Sequence, residues 1–168
     1  MSKYDRLPNA PEKISAANVM ARLVDGLGFR YATATHNLRP DFINFKACET
    51  AMSVGEVLKH LYGLIWWVNG AFKLDNPLDK TIDHIEGYRE ATLIKIEQLS
   101  DYLLDSTDED LANAELYFKR KDMHLPFWYT LNGPIADMLT HVGQINSWRR
   151  MADNPVERIS PLDGKARS

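Results

Sequence analysis

The chain has 168 residues, which at about 150 residues per domain reads as one domain, residues 1–168. Apolar residues make up 45% and charged residues 26%, a soluble globular balance that excludes a disordered or collagen-like chain. The formal net charge of −3 and a pI near 5.9 leave no basic stripe for nucleic acid. A single cysteine, Cys48, cannot form an internal disulfide and points to a reducing compartment. The apolar run Leu61–Val68 is too short to span a bilayer, and the first residues lack a signal-peptide apolar segment. A cytoplasmic protein with no membrane partner is expected.

The eight prolines leave two long proline-free stretches, 41–76 and 78–125, where long helices fit. A first helix is predicted from about Ser15 to His36, with Val19, Leu23, Leu27 and Tyr31 on a stripe widened by Met20, Val24 and Ala32. Gly26 and Gly28 weaken it locally, and Asn37 and Pro40 stop it. Ser53-Val54-Gly55-Glu56 has the capping-box pattern and starts a second helix. Its apolar face is Val57, Leu61, Leu64, Ile65 and Val68, and it ends between Gly70 and Asn76-Pro77. A third helix is predicted from about Leu78 to Leu104, with Ile82, Ile85, Arg89, Leu93, Ile96, Leu99 and Leu103 on one side. Residues 109–125 fit a helical turn, a short strand or a loop. Pro126 suits the first turn of a final helix reaching about Met151, kinked or split at Gly133-Pro134. The expectation is all-α: a four-helix bundle with a short irregular or hairpin insertion before the last helix.

Asp137 and His141 are four apart on that final helix, so their side chains lie over one another. Both can reach one divalent cation. His60 sits mid-helix among Val57, Leu61, Leu64 and Trp67. If the second and last helices face each other, His60 meets Asp137 and His141, as inward side chains assemble metal sites in bundles. The plainer alternatives are a surface Asp–His pair and a histidine hydrogen-bonded to a neighbour. His84 and His124 read as solvated, and His36 as a solvated helix-end histidine or an acid/base at the site's mouth. Cys48 reads as a small buried hydrophobe rather than a nucleophile. Trp66 and Trp67 are adjacent and cannot share one core face, so one lines a pocket or a subunit contact. No nucleophile elbow, phosphate loop or C-x-x-C is present.

Three segments, Arg22–Tyr31, Gly55–Leu64 and Asn132–Ile145 with its His141-Val142-Gly143-Gln144-Ile145 ending, resemble the DinB/YfiT-like superfamily across roughly 14–156. The resemblance implies a four-helix bundle, often homodimeric, holding one metal through three histidines. His60 matches the second-helix ligand and His141 the last. Asp137 stands where the family has the remaining histidine, which changes the donor set to two imidazoles and a carboxylate. Zinc or nickel is expected, with iron or manganese as alternatives. Some members are metal-dependent transferases or isomerases that use small thiols. The functional expectation is therefore a divalent-metal protein that adds a small thiol to a small electrophile. The alternatives are a non-enzymatic dimer with a structural metal or hydrogen-bonded His/Asp cluster, or a bundle without metal.

Overall fold

The computed structural model describes residues 2–74, 77–160 and 162–165. Four long helices form the core: α1 (Ala16–Thr35), α2 (Val54–Ala71), α3 (Ile85–Leu104) and α6 (Ala136–Met151). A short α4 (Asp108–Ala112), a hairpin of β1 (Glu115–Phe118) and β2 (Met123–Pro126), and a turn of helix α5 (Trp128–Thr130) fill the connection between α3 and α6. Among the described residues, no helix is long and apolar enough to cross a membrane.

Three of the helices, α1, α2 and α4, start where a side chain supplies acceptors for the first N–H groups. Ser53 Oγ accepts from the Glu56 N–H at 3.2 Å, and the Glu56 carboxylate accepts from the Ser53 N–H at 2.6 Å. Ser15 caps α1, and Thr107 with Asp110 forms a second capping box that starts α4. The predicted α2 face is buried throughout. Asn76, part of its predicted stop, lies outside the described residues.

The α1 stripe needs correction. Leu27 and Tyr31 are buried, but Val19 is 59% exposed and Leu23 also faces solvent. A strict four-residue spacing advances about 40° per step around a 3.6-residue helix, so the stripe drifts off the core over three steps. Ala17, Met20, Ala21 and Val24 hold that end of the core instead. Gly28 also has a packing reason. A Cβ there would stand 2.5 Å from the Tyr4 ring, so the N-terminal segment seats its tyrosine where a side chain would be.

The third helix begins seven residues later than predicted, and its lateness follows from topology. Arg149 near the end of α6 donates to the Ala34 and His36 carbonyls at the end of α1, so α1 and α6 finish at the same end of the bundle. Trp148 packs near Phe45, whose carbonyl accepts from Val54 at the start of α2, so α2 runs the opposite way. Tyr62 faces Tyr88, and Asn69 donates to the Lys95 carbonyl, which makes α2 and α3 parallel. The order is up-down-down-up. Parallel neighbours require the chain after α2 to travel back along the bundle. It does so in a non-helical run, held where Asp79 N–H donates to Tyr62 Oη and Lys95 Nζ donates to the Pro77 carbonyl. Asp79 also accepts from the Thr81 N–H and hydroxyl, a local turn that competes with helix.

The ambiguous stretch 109–125 resolves as α4 plus the antiparallel hairpin, with Leu116 paired to Leu125 and Asp122 in the left-handed conformation at its turn. Pro126 therefore closes β2 instead of opening a helix. The helix that follows is interrupted at Leu131–Ile135 by a π-helical segment, in which Gly133 has ψ −110° and Pro134 has no N–H to donate. The expected kink is there.

Candidate metal centre

The π-helical segment resets the rotational phase of α6 just before the residues of interest. Asp137 stands in the first turn of α6 and His141 one turn on, while His60 comes from the second turn of α2. The antiparallel packing of α2 against α6 brings the three together from 77 residues apart. His60 Nε2 lies 3.0 Å from Asp137 Oδ2, and His141 Nε2 lies 3.4 Å from Asp137 Oδ1. One ligand atom from each residue can be chosen so that all lie within 4.8 Å of one another. The two imidazoles meet edge to face, with ring centroids 5.1 Å apart.

These separations suit a shared cation. Ligands about 2.0–2.1 Å from a tetrahedral zinc are about 3.3 Å from each other. Each imidazole Nε2 stands near that distance from its own oxygen of Asp137, while the donor set as a whole spans up to 4.8 Å and would draw in around a cation. His141 carries a further mark of a ligand. Its Nδ1 lies 2.8 Å from Gln144 Oε1, so the ring donates there and leaves the Nε2 lone pair facing the cluster. Without a cation, His60 and Asp137 still satisfy each other through their 3.0 Å contact.

The cluster lies at the seam between α2 and α6 and not inside the bundle. His60 and Asp137 side chains are 40% and 44% exposed, and only His141, at 14%, is largely covered. Sequence periodicity placed His60 on a core-facing stripe; it sits at the stripe's edge. Asp137, alone of the three, also lines a groove of about 510 Å³ whose walls include Leu64, Trp67, Leu116, Leu125 and Tyr129. Trp67 donates from Nε1 to the Tyr117 carbonyl at 2.9 Å and stacks near Phe118, which fixes the hairpin as one wall. Trp66 points the other way and is partly exposed, so the adjacent tryptophans divide as expected.

The remaining candidates are elsewhere. His84 and His124 are exposed and pair with Asp83 and Glu115. His36 is exposed and lines a different cleft. Cys48 is exposed rather than buried, because its loop before α2 carries it outward, and the hydrogen bond with Thr50 holds its thiol below the ordinary value. Gln144 and the groove residues of the hairpin were not identified as site residues from the sequence.

No protein-family model matches this sequence, and no curated protein matches it. Among solved structures the chain is similar to YfiT from Bacillus subtilis, described as a probable metal-dependent hydrolase with an unusual four-helix bundle topology. The superposition has a TM-score of 0.64 and covers 87% of this chain and 94% of that one, at 15% sequence identity. At that identity the likeness is one of fold, and the fold is the YfiT/DinB-like bundle that the sequence resemblance implied.

Proposed function

We propose that this protein holds one divalent cation through His60, Asp137 and His141, and that it catalyses addition of a small thiol to an electrophilic small molecule. The observation that carries this reading is convergence at a partly exposed seam: three donor atoms lie within 4.8 Å of one another, and Asp137 also lines an apolar-walled groove. When bound, a divalent cation supplies Lewis acidity, easing proton loss from a thiol or water near neutral pH and polarising a carbonyl.

The chain's own residues do the rest. Gln144 fixes the His141 tautomer and ring plane. Asp137 presents one oxygen to each imidazole, which places the only negative charge of the donor set between its two neutral members. Leu64, Trp67, Leu116 and Leu125 offer apolar surface to the substrate and keep water from that side. Cys48 lies on the loop before α2 and takes no part in the cluster, so the thiol would come from a small molecule in a reducing, cytoplasmic setting. Attack by water instead would give hydrolysis, the activity suggested for YfiT.

Protein purified without an affinity tag is expected to carry close to one equivalent of a transition metal, with zinc or nickel the leading identities. His141→Ala should lose it. Metal far below stoichiometry, with melting unaffected by added metal, would leave the second reading: a hydrogen-bonded node built on the 3.0 Å His60–Asp137 contact. Cobalt-loaded protein should change its visible spectrum when a small thiol is added. A spectrum indifferent to thiols and other anions would make the centre structural.

We extend the reading to a homodimer, motivated by the large rings of Trp66 and of Trp128, the latter 71% exposed. Sedimentation at micromolar concentration should give twice the chain mass. A monomer would remove this extension and leave the metal reading untouched.

A further inference from the structure

A second set of polar groups lies at the end of the bundle where α1 and α6 finish and α3 begins. Arg149 is 3% exposed, and its guanidinium donates to the Ala34, His36 and Asn154 carbonyls and to Asn154 Oδ1. Every one of these acceptors is neutral. None of the ion pairs among the described residues includes Arg149. The carbonyl end of α1 offsets part of the charge through its dipole, equivalent to about half an elementary charge, and among the described residues no carboxylate pairs with the remainder.

Two more donors nearby lack partners. Arg89 Nε and Asn154 Nδ2 are buried and make no hydrogen bond. Arg89 reaches Glu86 through Nη1 alone, at 3.3 Å. Thr33, His36, Arg89, Arg149 and Asn154 all line one cleft of about 750 Å³. Two carboxylates line it too, Asp5 and Glu157. Both are exposed, and Asp5 already accepts from the Ser2 N–H. The buried part of the cleft is thus rich in donors and carries uncompensated positive charge.

We propose that this cleft binds the carboxylate or phosphate group of a small molecule, held by Arg89 and Asn154 above the buried charge of Arg149. An oxyanion in the cleft would bring Arg149 a counter-charge and, once the Arg89 and Asn154 side chains rotate toward it, acceptors for both orphaned donors. The site is separate from the candidate metal centre. Arg149 follows His141 by eight residues, about 12 Å along the helix, and the two linings share no residue.

The test uses full-length protein stripped of metal by a chelator, so that it does not depend on the metal reading. Inorganic phosphate and succinate are titrated at fixed ionic strength, with chloride as the control, and followed by calorimetry and thermal melting. Saturable binding and a rise in melting temperature are expected for at least one of the two anions, and which one binds identifies the group recognised. Arg89→Gln should weaken that binding by about tenfold or more. Asn154→Asp supplies the missing carboxylate from the chain itself. It should raise the basal melting temperature and abolish the response to the anion. No saturable response to either anion, or a response unchanged in both variants, would overturn the proposal.

Discussion

His141 presents Nε2 to the cluster because its other ring nitrogen is engaged by Gln144. A glutamine carbonyl in that position can do for the imidazole what a carboxylate or backbone carbonyl does in metal sites. Gln144→Leu should therefore lower metal affinity by about 10–100-fold, measured by chelator competition, with the helical circular dichroism unchanged. Two tyrosines make a second residue-scale prediction. Tyr31 is fully buried, and Tyr4 donates to Asp25, which also accepts from Ser100. Burial raises both phenols far above the ordinary value near 10, and the Asp25 charge adds to the effect at Tyr4. The unfolded chain releases these protons first, so their contribution to stability is complete below about pH 10 and declines as pH rises beyond it. Urea midpoints should fall steeply above pH 10, and Tyr4→Phe should flatten that fall. His60, Asp137 and His141 were legible because helical spacing and residue chemistry are both written locally. Arg149 was not, since its carbonyl partners at Ala34 and His36 are more than a hundred residues away.

Among the elements, α1 is shaped by what seats against it. Gly28 leaves room for the Tyr4 ring, and Gly28→Ala should cost about 1–3 kcal/mol through overpacking, read from urea denaturation. In a Tyr4→Ala background the same substitution should become neutral or stabilising, because only the helix preference of alanine remains, up to about 1 kcal/mol. Helix starts were readable at Ser15 and Ser53, where a side chain caps, but the Thr107–Asp110 box that starts α4 read only as the end of the helix before it. The start of α3 was not. His84 makes no side-chain cap bond there, and the apolar spacing of Ile82 with Ile85 continues a helical pattern into residues that run extended. Tertiary constraint overrode periodicity, since a parallel α2–α3 pair needs that stretch to span the bundle. The hairpin stood only as one of several alternatives for its stretch, because strands of four residues are too short to establish alternation.

At the scale of the whole molecule, the two clefts divide the bundle. The metal-competent seam belongs to α2 and α6, and the donor-rich cleft to the end shared by α1, α3 and the segment after α6. Metal should stabilise the native state by mass action, by about 2.7 kcal/mol when free metal is a hundred times its dissociation constant. Chelation should reverse that gain in full, with the melting temperature as the readout. The 77 residues between His60 and Asp137 also bear on how the chain folds. The two imidazoles stand on separate helices, so the donor set exists only after α6, the last of the four long helices in chain order, has docked on α2. Joining ends that far apart has a loop entropy that grows by about 0.6 kcal/mol with each doubling of length. Metal capture would thus come late in folding, closing the circuit of the chain after its other pairings are made.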